Sequence, residues 1–189
     1  GDTSGSTYFQ LPTTIGTSGQ MLKVPDSGNT LEWGTGTGIT HLSGGTEFTG
    51  SLIVGHDDTG TLSSAIGNTA IGIEAMDAIA QGDYNTVVGY RAGTDLTNGS
   101  RNTLIGNSAG RDLTTGGSNV LIGFNAGDAL ETGSSNIAIG AGSLSAEDAG
   151  SSAIAIGQDA LRLQNGGTYN VAMGYQVGYD LTTGDNNIL

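Results

Sequence analysis

The chain has 189 residues, of which 35 are glycine, 2 proline and none cysteine, with 35% hydrophobic and 5% aromatic residues. So much glycine excludes a mostly helical domain, because each interior glycine costs about 1 kcal/mol relative to alanine; its irregular spacing excludes collagen, and the apolar content exceeds that of disordered chains. The balance of 5 basic against 18 acidic residues, a formal charge of -13, opposes phosphate backbones and argues against nucleic acid as a partner, and the lack of cysteine removes disulfides and thiolate metal sites.

Residues 1–50 read as a small β connector module. Thr7 to Leu11 is a predicted strand ending at Pro12. Gln20 to Val24 and Thr30 to Trp33 flank the turn-rich stretch Pro25 to Asn29, which predicts a hairpin with Leu22, Val24, Leu31 and Trp33 on one face. That is too little core for an independent monomer, so this module is expected to assemble with copies of itself. The glycine-rich Gly34 to Gly38 and the stretch from His41 to Gly45 read as connectors into the first coil of a repeat.

From Ser51 onward the chain repeats. The pentapeptide NTAIG at Asn68 recurs as NTVVG at Asn85, NTLIG at Asn102, NVLIG at Asn119, NIAIG at Asn136, AIAIG at Ala153 and NVAMG at Asn170, every 17 residues without insertion. Residues 68–186 form seven complete repeats, 51–67 a degenerate copy, and 187–189 the start of an eighth. One glycine closes each pentapeptide, at Gly72, Gly89, Gly106, Gly123, Gly140, Gly157 and Gly174, and another marks the far side, from Gly82 to Gly184. Both columns are expected to be turns of positive φ, with one repeat forming one coil of a solenoid.

Within the pentapeptide, the second and fourth positions share one face of a short strand and the third points the other way. All three are largely apolar. The return of the coil, with Ala75, Ala92, Ala109, Ala126 and Ala160 and, four residues on in most coils, Ile79, Leu96, Leu113, Leu130 and Leu181, is expected to cover one face. The third-position residues, among them Val87, Leu104 and Leu121, are expected to face a second copy of the chain, so that aspartate at Leu104 or Leu121 disrupts assembly. The asparagines Asn68, Asn85, Asn102, Asn119, Asn136 and Asn170 are expected to stack about 4.8 Å apart and to cap the turn opening each strand. Where the leucine of the return gives way to Glu147 and Gln164, a glycine three residues earlier gives way to Leu144 and Leu161, which predicts an apolar plug shifted within the coil and a local change in the returning strand.

The recurring strand resembles the head repeat of trimeric autotransporter adhesins of the YadA type, and its coil with a glycine-bearing return resembles segments of bacteriophage tail fibres. The entry segment, with LP at Leu11, GTSGQML from Gly16 and LEWG from Leu31, resembles the connector modules that precede such regions. The 17-residue coil read from the sequence is longer than the adhesin repeat and departs from it; the resemblance implies an all-β, left-handed parallel β-roll of such coils wound into an intertwined homotrimer. It implies a rigid shaft in a virion tail fibre, outside the cell, joined to other tail or baseplate proteins and displaying or contributing to binding of a host-surface receptor, glycan among the candidates. The alternative is the head or stalk of a bacterial surface adhesin binding host matrix or glycans.

Catalytic chemistry finds little support, and no enzyme, cofactor, metal or membrane insertion is expected. An insertion-free solenoid offers no loop excursion to build a pocket, and no apolar run approaches the roughly 18 residues of a membrane helix. His56, Asp57 and Asp58 read as a solvated turn rather than a metal site. Asp95 and Asp112 share a coil position and read as turn-capping acids offset by Arg111 rather than a calcium site. The threonines Thr97, Thr114 and Thr182, with Thr115 and Thr183 beside two of them, are set aside as an ice-binding face, because adjacent strand positions point to opposite sides. A polysaccharide depolymerase requires paired carboxylates in a groove between subunits.

Overall fold

In a computed structural model, the described residues are 65–189 together with four short strand segments nearer the N-terminus. The chain divides into two units, 1–38 and 39–189. In the first, β1 (Met21–Lys23) pairs antiparallel with β2 (Glu32–Gly34), setting Leu22 opposite Trp33. The expected strand at Thr7 to Leu11, the turn at Pro25 to Asn29 and the His56 cluster lie outside the described residues.

The second unit carries one sheet of nine strands in sequential order. It opens with β3 (Ile39–Thr40), which lies antiparallel against β4 (Leu52–Val54). The unit therefore begins at Ile39, ahead of Ser51, because β3 is hydrogen-bonded to the first strand of the repeat. From β4 every step is parallel and every register offset is one repeat: Leu52 faces Thr69 and Thr69 faces Thr86. The strands are β5 (Thr69–Ile71), β6 (Thr86–Val88), β7 (Thr103–Ile105), β8 (Val120–Ile122), β9 (Ile137–Ile139), β10 (Ile154–Ile156) and β11 (Val171–Met173). The eighth repeat begins on the same grid, with Val171 bridging Ile188 in parallel. This is a parallel β-solenoid with 17-residue coils and no helix among the described residues.

Each described coil has one three-residue strand, and the rest is a run of turns. The returning strand expected from the sequence is absent from the described coils. Backbone bonds to the next coil hold the return instead, as from Met76 N–H to the Ala92 carbonyl at 2.9 Å and from Ala78 N–H to the Thr94 carbonyl at 3.0 Å. The turns use the left-handed region at two columns occupied mostly by non-glycine residues. One contains Glu74, Arg91, Ser108, Asn125, Asp159 and Gln176 at φ 52–57°, the other Tyr84, Arg101, Ser118, Ser135, Ser152 and Tyr169 at φ 58–61°.

The two glycine columns differ from expectation in a related way. Gly72, Gly89 and their equivalents do require glycine, with φ near 131–139° from Gly72 to Gly174, a region closed to side chains. The far-side glycines from Gly82 to Gly167 are outside the left-handed region. They are glycine because coils stack in contact there: a Cβ on Gly82 would collide with the Gly99 carbonyl oxygen and with Ile79 Cδ1. Close backbone approach, not backbone freedom, selects them.

The interior of the coil holds the third strand position. Ala70, Val87, Leu104, Leu121, Ala138, Ala155 and Ala172 are all fully buried within this single chain, against the alanine column of the return and Ile79, Leu96, Leu113 and Leu130. This corrects the expectation that Val87, Leu104 and Leu121 face another copy. The return of turns is tight enough to wrap them completely, and the opposite face of the strand is the one left outward.

Candidate functional site

Three features stand out from this framework: a buried amide ladder, a polar strip in the core, and an outward apolar face. The ladder is built as the sequence predicts. Asn68 Oδ1 accepts from Asn85 N–H at 2.8 Å and from Asn85 Nδ2 at 3.0 Å, while Asn85 Nδ2 also donates to the Gly99 carbonyl at 2.9 Å. Asn102 and Asn119 repeat the pattern, Asn136 N–H joins through Asn119 Oδ1, and Asn187 N–H and Nδ2 extend it onto Asn170 Oδ1. The asparagines from Asn68 to Asn170 therefore satisfy backbone groups of the turns from fully buried positions, where an unmet polar group costs about 1–3 kcal/mol. The ladder is structural.

At Ala153 the column lacks its amide, and a residue from another column takes over. Ala153 N–H still donates to Asn136 Oδ1 at 2.9 Å. Asn170 Nδ2, whose counterparts in Asn85, Asn102 and Asn119 donate to the preceding asparagine, donates to Gln164 Oε1 at 2.8 Å. Gln164 Nε2 in turn donates to Glu147 Oε2 at 2.9 Å and to the Gly167 carbonyl at 3.1 Å. Glu147 Oε1 accepts from Gly150 N–H at 2.6 Å and Gly166 N–H at 2.7 Å. Glu147 and Gln164 are fully buried, yet every link in this strip has a partner. The sequence marked the leucine replacements; their role in mending the ladder needed the three-dimensional proximity of positions 164 and 170.

A second ladder escapes a reading of the sequence alone. The Ser100 hydroxyl accepts from Asp83 N–H at 3.0 Å, Ser134 from Gly117 N–H at 3.1 Å, Ser151 from Ser134 N–H at 3.0 Å, and Asp185 Oδ1 from Thr168 N–H at 2.8 Å. Its signal is the short polar residue two places before most members of the asparagine column, as at Asp83, Ser100, Ser134, Ser151, Thr168 and Asp185, with Ile66 and Gly117 the exceptions. The Asp185 carboxyl is held below its ordinary value by these bonds from Thr168.

Of the acids of the return, Asp112 is offset by Arg111 as expected, its carboxylate bonding to that guanidinium and not, among the described residues, to a turn N–H. Arg111 Nε and Nη2 bind Asp112 in a fork at 2.6 and 2.8 Å, and Nη1 lies 3.8 Å from Asp128. Burial raises the pKa of Asp128, with Arg111 opposing. Among the described residues no group of three or more His, Asp or Glu is placed to hold a metal ion. Thr97 and Thr114 hydroxyls donate to the carbonyls of Thr114 and Glu131, at 3.1 and 3.0 Å, so they stitch coils together.

The outward face is the second and fourth strand positions. It carries threonine with isoleucine or valine in β5 to β7, then Val120, Ile122, Ile137, Ile139, Ile154, Ile156, Val171 and Met173. Ile71 is 43% exposed, Ile105 37% and Met173 62%, and the flanking Ile73, Tyr90, Phe124 and Tyr175 are exposed too. From Val120 to Met173 this face is an apolar strip that the chain's own coils leave only partly covered.

Fold and surface thus define, among the described residues, a parallel β-solenoid with an outward, partly covered apolar face. No protein-family model, curated protein or solved structure matches the chain.

Proposed function

We propose that this chain is a segment of a trimeric rigid shaft, a structural part of a virion tail fibre that carries or contributes to a host-receptor-binding surface, and that it acts by geometry rather than by catalysis. The observation that carries the reading is the outward strand face. Its β-branched residues from Val120 to Ile156 are only partly covered by their own chain, and burying the area still exposed yields about 25 cal/mol per Å². Three copies packed about a common axis bury that face on every chain, with coil stacking giving stiffness along the axis through nearest-neighbour contacts. The acidic surface, -13 per chain, keeps such rods from associating sideways. Residues 1–38, with their β1–β2 pair, serve in this reading as the connector to an adjoining module of the tail or baseplate.

Sedimentation of the full chain tests it. Three copies are expected, and aspartate at both Ile137 and Ile154 is expected to yield a folded single chain. A wild-type chain that sediments as a monomer overturns the proposal.

A further inference from the structure

A depression over Ala141, Gly142 and Ser145, between Phe124 and Gln158, has its polar groups Gln158, Asp159 and Arg162 bonded to one another. The buried strip of Glu147 and Gln164 does more, since one of its bonds ends on a backbone nitrogen next to an asparagine.

The described residues hold two Asn-Gly pairs, Asn98–Gly99 and Asn165–Gly166. In such a pair the asparagine side chain is open to attack by the next backbone nitrogen, because glycine carries no Cβ to crowd the approach. Both asparagines are exposed, but the nitrogens that follow them are held differently. Gly99 is buried, and its N–H donates to the Thr114 carbonyl at 3.2 Å, an acceptor that cannot keep a proton at neutral pH. Gly166 is exposed, at φ 81°, with nothing within 4 Å of where a Cβ would stand. Its N–H donates to Glu147 Oε1 at 2.7 Å. Glu147 is fully buried and fixed by two further donors, Gly150 N–H at 2.6 Å and Gln164 Nε2 at 2.9 Å. Three donors and no acceptor around it are the surroundings of an ionised carboxylate. A carboxylate within about 2.6–3.2 Å of the nitrogen whose proton it takes meets the geometric requirement for a general base.

We propose that Asn165–Gly166 is a site of intramolecular modification, at which Glu147 acts as general base for closure of the asparagine side chain onto the Gly166 nitrogen. That nitrogen bonds to Asn165 Cγ as its proton passes to Glu147 Oε1. The bond from Cγ to Nδ2 breaks, and Nδ2 leaves as ammonia, the proton it gains balancing the one Glu147 took up. Water then opens the succinimide at either imide carbonyl and leaves aspartate or isoaspartate at position 165; no step is a redox step. While the ring stands its nitrogen carries no hydrogen, so Glu147 Oε1 keeps only Gly150 N–H. Either product sets a carboxylate one coil from the exposed Asp148, opposing like charges. The pair lies on the return and not on the strand face, so the reaction does not depend on the shaft reading.

The test is incubation of the full chain at neutral pH, folded and in urea, with peptide mass spectrometry resolving asparagine, aspartate and isoaspartate at both pairs. In the folded chain Asn165 is expected to react at least about tenfold faster than Asn98, a modest contribution for a positioned general base. In urea, where Glu147 is no longer held against Gly166, the two rates are expected to converge. Glu147→Gln, which keeps an acceptor for Gly150 and Gly166 but cannot take up the proton, is expected to slow Asn165 at least about tenfold. Loosening of the strip by that variant would speed the reaction, so slowing reads the lost base and not a lost fold. Should Glu147→Gln fail to fold by circular dichroism, the comparison of Asn165 with Asn98 in the folded wild type decides. Asn165 reacting no faster than Asn98 in the folded chain, the same ratio of rates in urea, or an unchanged or faster reaction in folded Glu147→Gln overturns the proposal.

Discussion

In the coils of β6, β7 and β8 the strand supplies Val87, Leu104 and Leu121 to the interior, and the return opposite supplies Gly93, Gly110 and Gly127. In the coils of β9 and β10 the strand supplies only Ala138 and Ala155, and the return supplies Leu144 and Leu161. The first pattern leaves no room at the glycine: a Cβ on Gly93 would lie 2.7 Å from Leu104 Cδ1, and one on Gly127 3.0 Å from Leu121. The second moves the same volume to the other wall. It places leucine at φ 53° and 49°, a conformation that costs about 1–3 kcal/mol, and recovers that cost through full burial of a side chain worth about 1.5–3 kcal/mol. Filling the interior thus matters more to a coil than which wall supplies the volume, so long as the backbone stays in register with its neighbours.

The same two coils differ in how they treat polar groups. In the coils of β6, β7 and β8 the interior next to the ladder is leucine; here it is Glu147 and Gln164. The exchange coincides with Ala153 in the asparagine column, and Gln164 gives Asn170 the acceptor that residue 153 lacks. A solenoid transmits such local changes only to the adjoining coils, which is why these two can depart together while the coils of β8 and β11 keep leucine next to the ladder, at Leu130 and Leu181.

The largest expected effect separates interior from outward face. Leu104→Asp is expected to unfold the solenoid, at a cost above about 4 kcal/mol, because it buries an unpaired charge, whereas aspartate at Ile139 alters assembly and leaves the melting of the coil little changed. Circular dichroism alongside sedimentation reads both, and a folded Leu104→Asp chain would contradict the interior placement. Next, Glu147→Leu is expected to destabilise by about 2–3 kcal/mol, since Gly150, Gly166 and Gln164 lose their acceptor; denaturant unfolding measures it.

The volume exchange can be imposed on an ordinary coil. Leu104→Ala alone is expected to cost about 2–5 kcal/mol and Gly110→Leu about 1–3 kcal/mol from overpacking. The double variant, which copies the arrangement of Ala138 and Leu144, is expected to lie at least about 1 kcal/mol below their sum. Strict additivity would show that the two walls do not share one space.

Two pH responses are smaller. The Asp128 carboxyl, raised by burial, costs the folded state stability once ionised. Its contribution is favourable below the ordinary aspartate range and fades as pH rises through the raised value. Asp128→Asn should therefore flatten that limb. Asp185 has the opposite sign. With its folded value lowered by Thr168, it supports the fold above the ordinary aspartate range and loses that support as pH falls through the lowered value. Melting Asp128→Asn and Asp185→Asn across acidic pH distinguishes the slopes.

Much of this was legible in the chain itself. The 17-residue period, the parallel register from Leu52 to Val171, the stacked asparagines and the shifted leucines at 144 and 161 all come from column composition, because a repeating coil forces equivalent residues into equivalent surroundings. Three things were decided only in three dimensions. Alternation along a strand of three residues says that its faces differ without saying which is inside; that was decided by the return, whose left-handed turns at Glu74 and Tyr84 and their equivalents draw it close over Leu104 and Leu121. The far-side glycines look the same in sequence as turn glycines, and only the contact between stacked coils shows that space selects them. The depression over Ala141, Gly142 and Ser145, between Phe124 and Gln158, exists because three neighbouring coils alternate large, small and large at the same columns, a coincidence of side-chain size at positions 17 residues apart that acquires meaning only when the coils are stacked.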